Sequence, residues 1–252
     1  MRQFHTANVI DNLMYVFGGG DGKYWLNDLL IFELNKLEWS GPVQTQGIAP
    51  VGRLQHSAIT FEKRIYIFGG EPDQYRQLND IFYLDTTTLT WVKPIVTGHD
   101  PSARVSTTGC LVDSKTYYFG GYDGVHWMND VHMFDIETNH WEKVTTSEFR
   151  PQPRCRHTAN IVKGHLYCFG GNDCELSFHD IWMLYIGVLV PAPSLPADMV
   201  GLLESGTFSD VTFVINDTRI KGHKCILASR SKFFDNMFSV GMRESEESVV
   251  SV

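Results

Sequence analysis

The side chains best able to do chemistry in this chain are its histidines and cysteines, and their spacing decides what that chemistry could be. His5, His56 and His157 fall at one phase of a recurring unit, and Thr107 takes the same phase in the remaining unit. A histidine that returns once per unit, and that threonine replaces, reads as a packing or hydrogen-bonding element rather than a ligand. No His-Glu-x-x-His motif and no His/Cys group has zinc spacing. The cysteines are Cys110, Cys155, Cys168, Cys174 and Cys225, an odd number without a C-x-x-C pair. That usage fits a reduced compartment, so a cytoplasmic location is expected, with the nucleus as the alternative. Gly18-Gly19-Gly20-Asp21-Gly22 superficially suggests a phosphate loop, but it lacks the Gly-Lys-Ser/Thr ending and no helix follows. There is no Gly-x-Ser-x-Gly elbow and no paired-carboxylate signal. The expectation is a chain that is not an enzyme and uses no metal or cofactor.

Recognition chemistry is better represented. Four loops follow the glycine pairs: Asp21-Gly22-Lys23-Tyr24-Trp25, Asp73-Gln74-Tyr75-Arg76-Gln77, Asp123-Gly124-Val125-His126-Trp127 and Asp173-Cys174-Glu175-Leu176-Ser177. They differ from one another while their flanks do not. Trp, Tyr and Arg are the types enriched at binding hot spots. Tyr24, Trp25, Tyr75, Arg76, His126 and Trp127 are therefore the candidate contacts for a protein partner. The alternative for Trp25 and Trp127, which share a phase, is packing between units. Leu26, Leu78, Met128 and Phe178 share the next phase and are expected to be buried anchors.

The elements that must hold these loops come from a repeat. Phe-Gly-Gly begins at Phe17, Phe68, Phe119 and Phe169, steps of 51, 51 and 50 residues. Asp28, Asp80, Asp130 and Asp180 keep the same register, as do Trp39, Trp91 and Trp141. Arg2, Arg53, Arg104 and Arg154 stand upstream of each glycine pair, with lead-in prolines at Pro50, Pro101 and Pro151. Within a unit, apolar runs such as Arg64-Ile65-Tyr66-Ile67-Phe68 and Asp80-Ile81-Phe82-Tyr83-Leu84 read as strands, and polar segments such as Asp85-Thr86-Thr87-Thr88 read as turns. About four short strands per unit at a period near fifty is the signature of a propeller blade. One blade cannot bury both its faces, so the repeat is itself a packing argument.

These markers resemble the kelch repeat over roughly 1–190, which implies an all-β propeller. In kelch adaptors the loops above lie on the partner-binding face. Some kelch propellers are copper oxidases or iron-dependent plant specifier proteins, but Cys110 and Cys168 sit in strand positions with no supporting Tyr/Cys/His pattern.

The repeat stops before Pro191-Ala192-Pro193-Ser194-Leu195-Pro196, which reads as a stiff linker over 191–196, so the last blade is expected to lack its fourth strand. Beyond it, 197–204 suits a short helix and Asp210–Ile215 alternates as a strand. Asn216-Asp217 makes a turn, Arg219–Lys221 a second strand, and His223–Phe238 a helical stretch. Ser209-Asp210-Val211, Phe213, His223, Leu227-Ala228-Ser229-Arg230-Ser231 and Phe233-Phe234 resemble the opening half of a BTB/POZ domain, over 197–252. The resemblance implies a charged dimer pocket formed by Asp210 and Lys224; an exposed surface aspartate is the alternative. A propeller ahead of BTB is similar to leucine-zipper-like regulator proteins.

The fold class expected is therefore mainly all-β: a kelch propeller of four recognisable blades, the last incomplete, plus a truncated α/β BTB segment. Four units lie at the low edge of propeller sizes, and Met1 begins inside a strand, so a fragment or shortened form of a larger protein is expected. The function implied is a substrate adaptor of a cullin-type ubiquitin ligase, with a non-enzymatic scaffold as the alternative. Homodimerisation and cullin binding are expected only of a complete BTB domain. The 252 residues carry a net charge of −8 with no Lys/Arg cluster, which argues against nucleic acid. No apolar run of membrane-spanning length or secretory h-region is present. The 22 glycines and 16 phenylalanines suit turns and aromatic strands.

Overall fold

A computed structural model describes residues 1–146, 150–186, 205–206, 209–215, 218–239 and 249–251. The chain divides into two compact units, Met1–Gly187 and Val188–Val252.

The first unit is built from four consecutive sheets. The first contains β1 (Thr6–Ile10), β2 (Leu13–Phe17), β3 (Leu29–Glu33) and β4 (Glu38–Ser40), antiparallel and in chain order. The second contains β5 (Gln46–Gly47), β6 (Ser57–Phe61), β7 (Arg64–Phe68), β8 (Ile81–Asp85) and β9 (Thr90–Val92). The third repeats it with β10 (Thr97–Gly98), β11 (Thr108–Val112), β12 (Lys115–Phe119), β13 (Val131–Asp135) and β14 (His140–Val144). The fourth shows β15 (Thr158–Val162), β16 (His165–Phe169) and β17 (Ile181–Tyr185).

Each antiparallel core is a meander, and the sequence sets its turns. The hairpins between the first two strands of each sheet are closed at Asp11, Glu62, Asp113 and Lys163, all with positive φ, as tight hairpins require. Further on, Asp85 and Asp135 accept the backbone N–H groups of the two following turn residues, Thr87 and Thr88 in one case and Glu137 and Thr138 in the other.

The structure adds something absent from the four-strand reading. β5 and β10 are two-residue strands from the preceding connection, and each pairs parallel on the outer strand of its sheet, β9 and β14. The strand expected to be missing from the last unit, the proline linker and the helix over 197–204 lie outside the described residues.

The sheets pack face to face in chain order, with β1 beside β6, β6 beside β11 and β11 beside β15. The first interface buries Tyr15, Phe17, Leu29 and Ile31 against Ile65, Ile67, Phe82, Leu84 and Trp91. The second sets Ile59, Tyr66, Phe68 and Ile81 against Tyr118, Phe134 and Trp141. The third sets Cys110, Phe119 and Val131 against Leu166 and Cys168, which explains why these two cysteines occupy strands. Trp39, Trp91 and Trp141 take equivalent strand positions, opposite Phe32, Leu84 and Phe134.

In the second unit β18 (Val211–Ile215) pairs antiparallel with β19 (Thr218–Gly222) and parallel with β20 (Val249–Ser251). The helical stretch is two helices rather than one, α1 (Lys224–Arg230) and α2 (Lys232–Phe238), because Ser231 is extended at φ −145. Val211, Phe213 and Val250 form the core with Leu227, Phe234, Met237 and Phe238. The third strand, β20, was not foreseen.

Candidate functional site

Below each loop lies a clamp. Arg2, Arg53, Arg104 and Arg154 each make a bidentate ion pair with Asp28, Asp80, Asp130 and Asp180, at 2.6–3.1 Å. The same guanidinium donates to the carbonyl of the first glycine of the pair, Gly18, Gly69, Gly120 or Gly170. One planar fork thereby ties the start of the unit, the glycine turn and the far end of the loop together. Both partners were visible in the sequence as in-phase markers. Their pairing was not inferred, although a shared separation near 26 residues was the signal for it.

The clamps show in the acid–base behaviour. Hydrogen bonds from Arg154 hold Asp180 down at about 2. At Asp130 burial alone would raise the carboxyl, but hydrogen bonds from His132 and Arg104 outweigh it and hold it well below the usual range. The in-phase histidines do no comparable work. His56 is buried, which pushes it down to about 3, and its Nε2 meets the Thr6 hydroxyl at 2.8 Å. His157 is pushed down to about 4, again by burial first. Both are neutral packing elements beside the aromatic rings of Phe17 and Phe119. Among the described residues no group of three or more His, Cys, Asp or Glu side chains is placed to hold a metal ion.

The loops on these clamps are small hairpins. Isolated bridges join Gly20 to Trp25, Asp73 to Arg76, Tyr122 to Trp127 and Asn172 to Ser177. The aspartate opening each one shapes its tip. Asp21 accepts the N–H groups of Lys23 and Tyr24, and Asp73 accepts that of Tyr75. Asp123 accepts those of Val125 and His126, and Asp173 those of Glu175 and Leu176. Each tip is a turn fixed by its own carboxylate, so its side chains are displayed without ordering a long loop.

This geometry separates the six candidate contacts. Tyr24, Tyr75, Arg76 and His126 are exposed. Arg76 and His126 lean toward the carboxylates of Asp73 and Asp123, at 3.6 and 3.7 Å. Trp25 and Trp127 close the hairpin stems and are half-buried. Trp127 lies on Tyr122, ring centroids 4.7 Å apart, and lines a groove with Cys155 of the next unit. The indole N–H of Trp25 is buried without a hydrogen-bond partner. Leu26, Leu78, Met128 and Phe178 are half-buried rather than buried. They anchor through the backbone, each donating its N–H to the second glycine of the pair. Between the third and fourth loops an open groove is lined by Tyr122, Trp127, Arg156, Asn172, Glu175 and Leu176.

In the second unit Asp210 is exposed, and its carboxylate accepts the backbone N–H of Lys224 at 2.7 Å, at the first turn of α1. The contact between the two residues is made through main chain. The Lys224 ammonium lies over the ring of Phe238, 5.6 Å from its centroid.

Comparison with known proteins agrees with this layout. Residues 4–188 match the family described as the KLHDC2/KLHL20/DRC7 Kelch-repeats domain. Residues 199–252 match the BTB/POZ domain. The leucine-zipper-like transcriptional regulator 1 homolog of Drosophila melanogaster is 32% identical over 129 residues, 49% of this chain and 13% of that protein. Kelch domain-containing protein 3 is 36% identical in Bos taurus over 127 residues, 48% of this chain and 32% of that protein. Its Homo sapiens counterpart is 33% identical over 130 residues, 48% of this chain and 34% of that protein. The alignments span no more than about a third of these relatives' own length.

Proposed function

Because this chain belongs to the kelch-repeat family over 4–188 and continues into a BTB/POZ domain segment, we propose that it is a substrate adaptor whose four sheets are adjacent blades of a β-propeller. Kelch and BTB domains are non-catalytic protein-interaction modules, so the work of the chain is binding. The observation that carries the reading is the construction of the loops. Four Arg–Asp clamps fix four hairpins on rigid sheets, and the hairpins expose Tyr24, Tyr75, Arg76 and His126 along one edge. Aromatic side chains have only two rotatable bonds and lose little entropy on docking, which is what a protein-binding surface needs. The groove beside Trp127 extends that edge.

The BTB segment supports the second half of the proposal, recruitment of a cullin-type ubiquitin ligase to the captured protein. A cytoplasmic or nuclear site of action belongs to the same reading, and its support is five cysteines that form no disulfide.

The test is proximity crosslinking with the full chain as bait, beside a Tyr24→Ala/Tyr75→Ala/His126→Ala variant. These side chains are exposed, so the sheets should tolerate their loss. The expected result is a prey that crosslinks to the parent chain, falls about tenfold or more with the variant and is ubiquitylated in a bait-dependent way. A prey retained undiminished by the variant would sink the loop surface. A prey lost with the variant but never ubiquitylated would make the chain a scaffold.

A further inference from the structure

We draw no further inference here: the strongest candidate, the open groove between the third and fourth loops lined by Tyr122, Trp127, Arg156 and Asn172, belongs to the partner-binding edge already described.

Discussion

The inner and outer sheets of the kelch region carry the same residues in different surroundings. Phe68 and Phe169 sit at one position of one motif, yet the first is sealed and the second is half in water. Arg104 and Arg2 grip their aspartates in the same bidentate way, but Arg104 is fully buried and Arg2 is not. The repeat therefore sets what a position is, and the neighbouring sheet sets what that position is worth. Stability in such an array is a sum of units and interfaces, so a side chain is worth what its interface buries.

That comparison is sharpest at the clamp. Arg104→Ala should leave the Asp130 carboxylate poorly paired and cost about 3–5 kcal/mol, and Arg2→Ala about 1 kcal/mol or less. Urea denaturation of the full chain reads both; equal losses would erase the distinction between inner and outer sheets. Trp141→Ala should cost about 3 kcal/mol or more through the cavity it leaves among Phe68, Tyr118 and Phe134, whereas Trp39→Ala should stay within about 1 kcal/mol. Thermal melting distinguishes these.

A smaller contrast concerns backbone approach. Gly120 and Gly170 have nearly the same positive φ, 63 and 67, but only Gly120 is pressed by the carbonyl of a following arginine. Gly170→Ala should cost about 1–2 kcal/mol for the dihedral, and Gly120→Ala about 2–4 kcal/mol once the clash is added. If the two losses match, the close approach contributes nothing.

A further contrast is a pH dependence. Burial holds His56 near 3, well below its ordinary value of 6.5. As pH falls through 6.5 the unfolded chain binds a proton that the folded chain refuses, so the contribution of His56 to stability drops from pH 6.5 toward 3 and is constant below it. His56→Gln should reduce that slope, leaving the share that belongs to His157, which burial pushes down to about 4. His5, at the same phase but exposed on the first sheet, is lowered less completely, and His5→Gln should change the slope little. A fall in stability that is unchanged by His56→Gln would assign the slope elsewhere.

How far the sequence reached can be judged from particular residues. The period, the strand order and the change of architecture before Asp210 were legible because apolar alternation and glycine pairs are local patterns. β5 and β10 were not, because two residues such as Gln46–Gly47 carry no periodicity and pair only once β9 is in place. Ser231 interrupts what reads as one helix: its backbone is extended, while Leu227 and Phe234, seven positions apart, keep the spacing of one helical face and so conceal the break. Among the loop candidates, residue type alone ranked Trp25 and Trp127 with Tyr24 and His126. The bridges to Gly20 and Tyr122 put the tryptophans in the stems and leave the others at the tips.

By itself the chain determined its repeating unit, its kelch and BTB/POZ resemblance and the identity of every recurring marker, since these depend on residue type and on separations of a few tens of residues. Only the tertiary structure decided that each arginine grips the aspartate about 26 positions later, which loop residues face solvent, and how deeply each copy of the pattern is buried. Burial belongs to a pair of surfaces, and a sequence describes only one surface at a time.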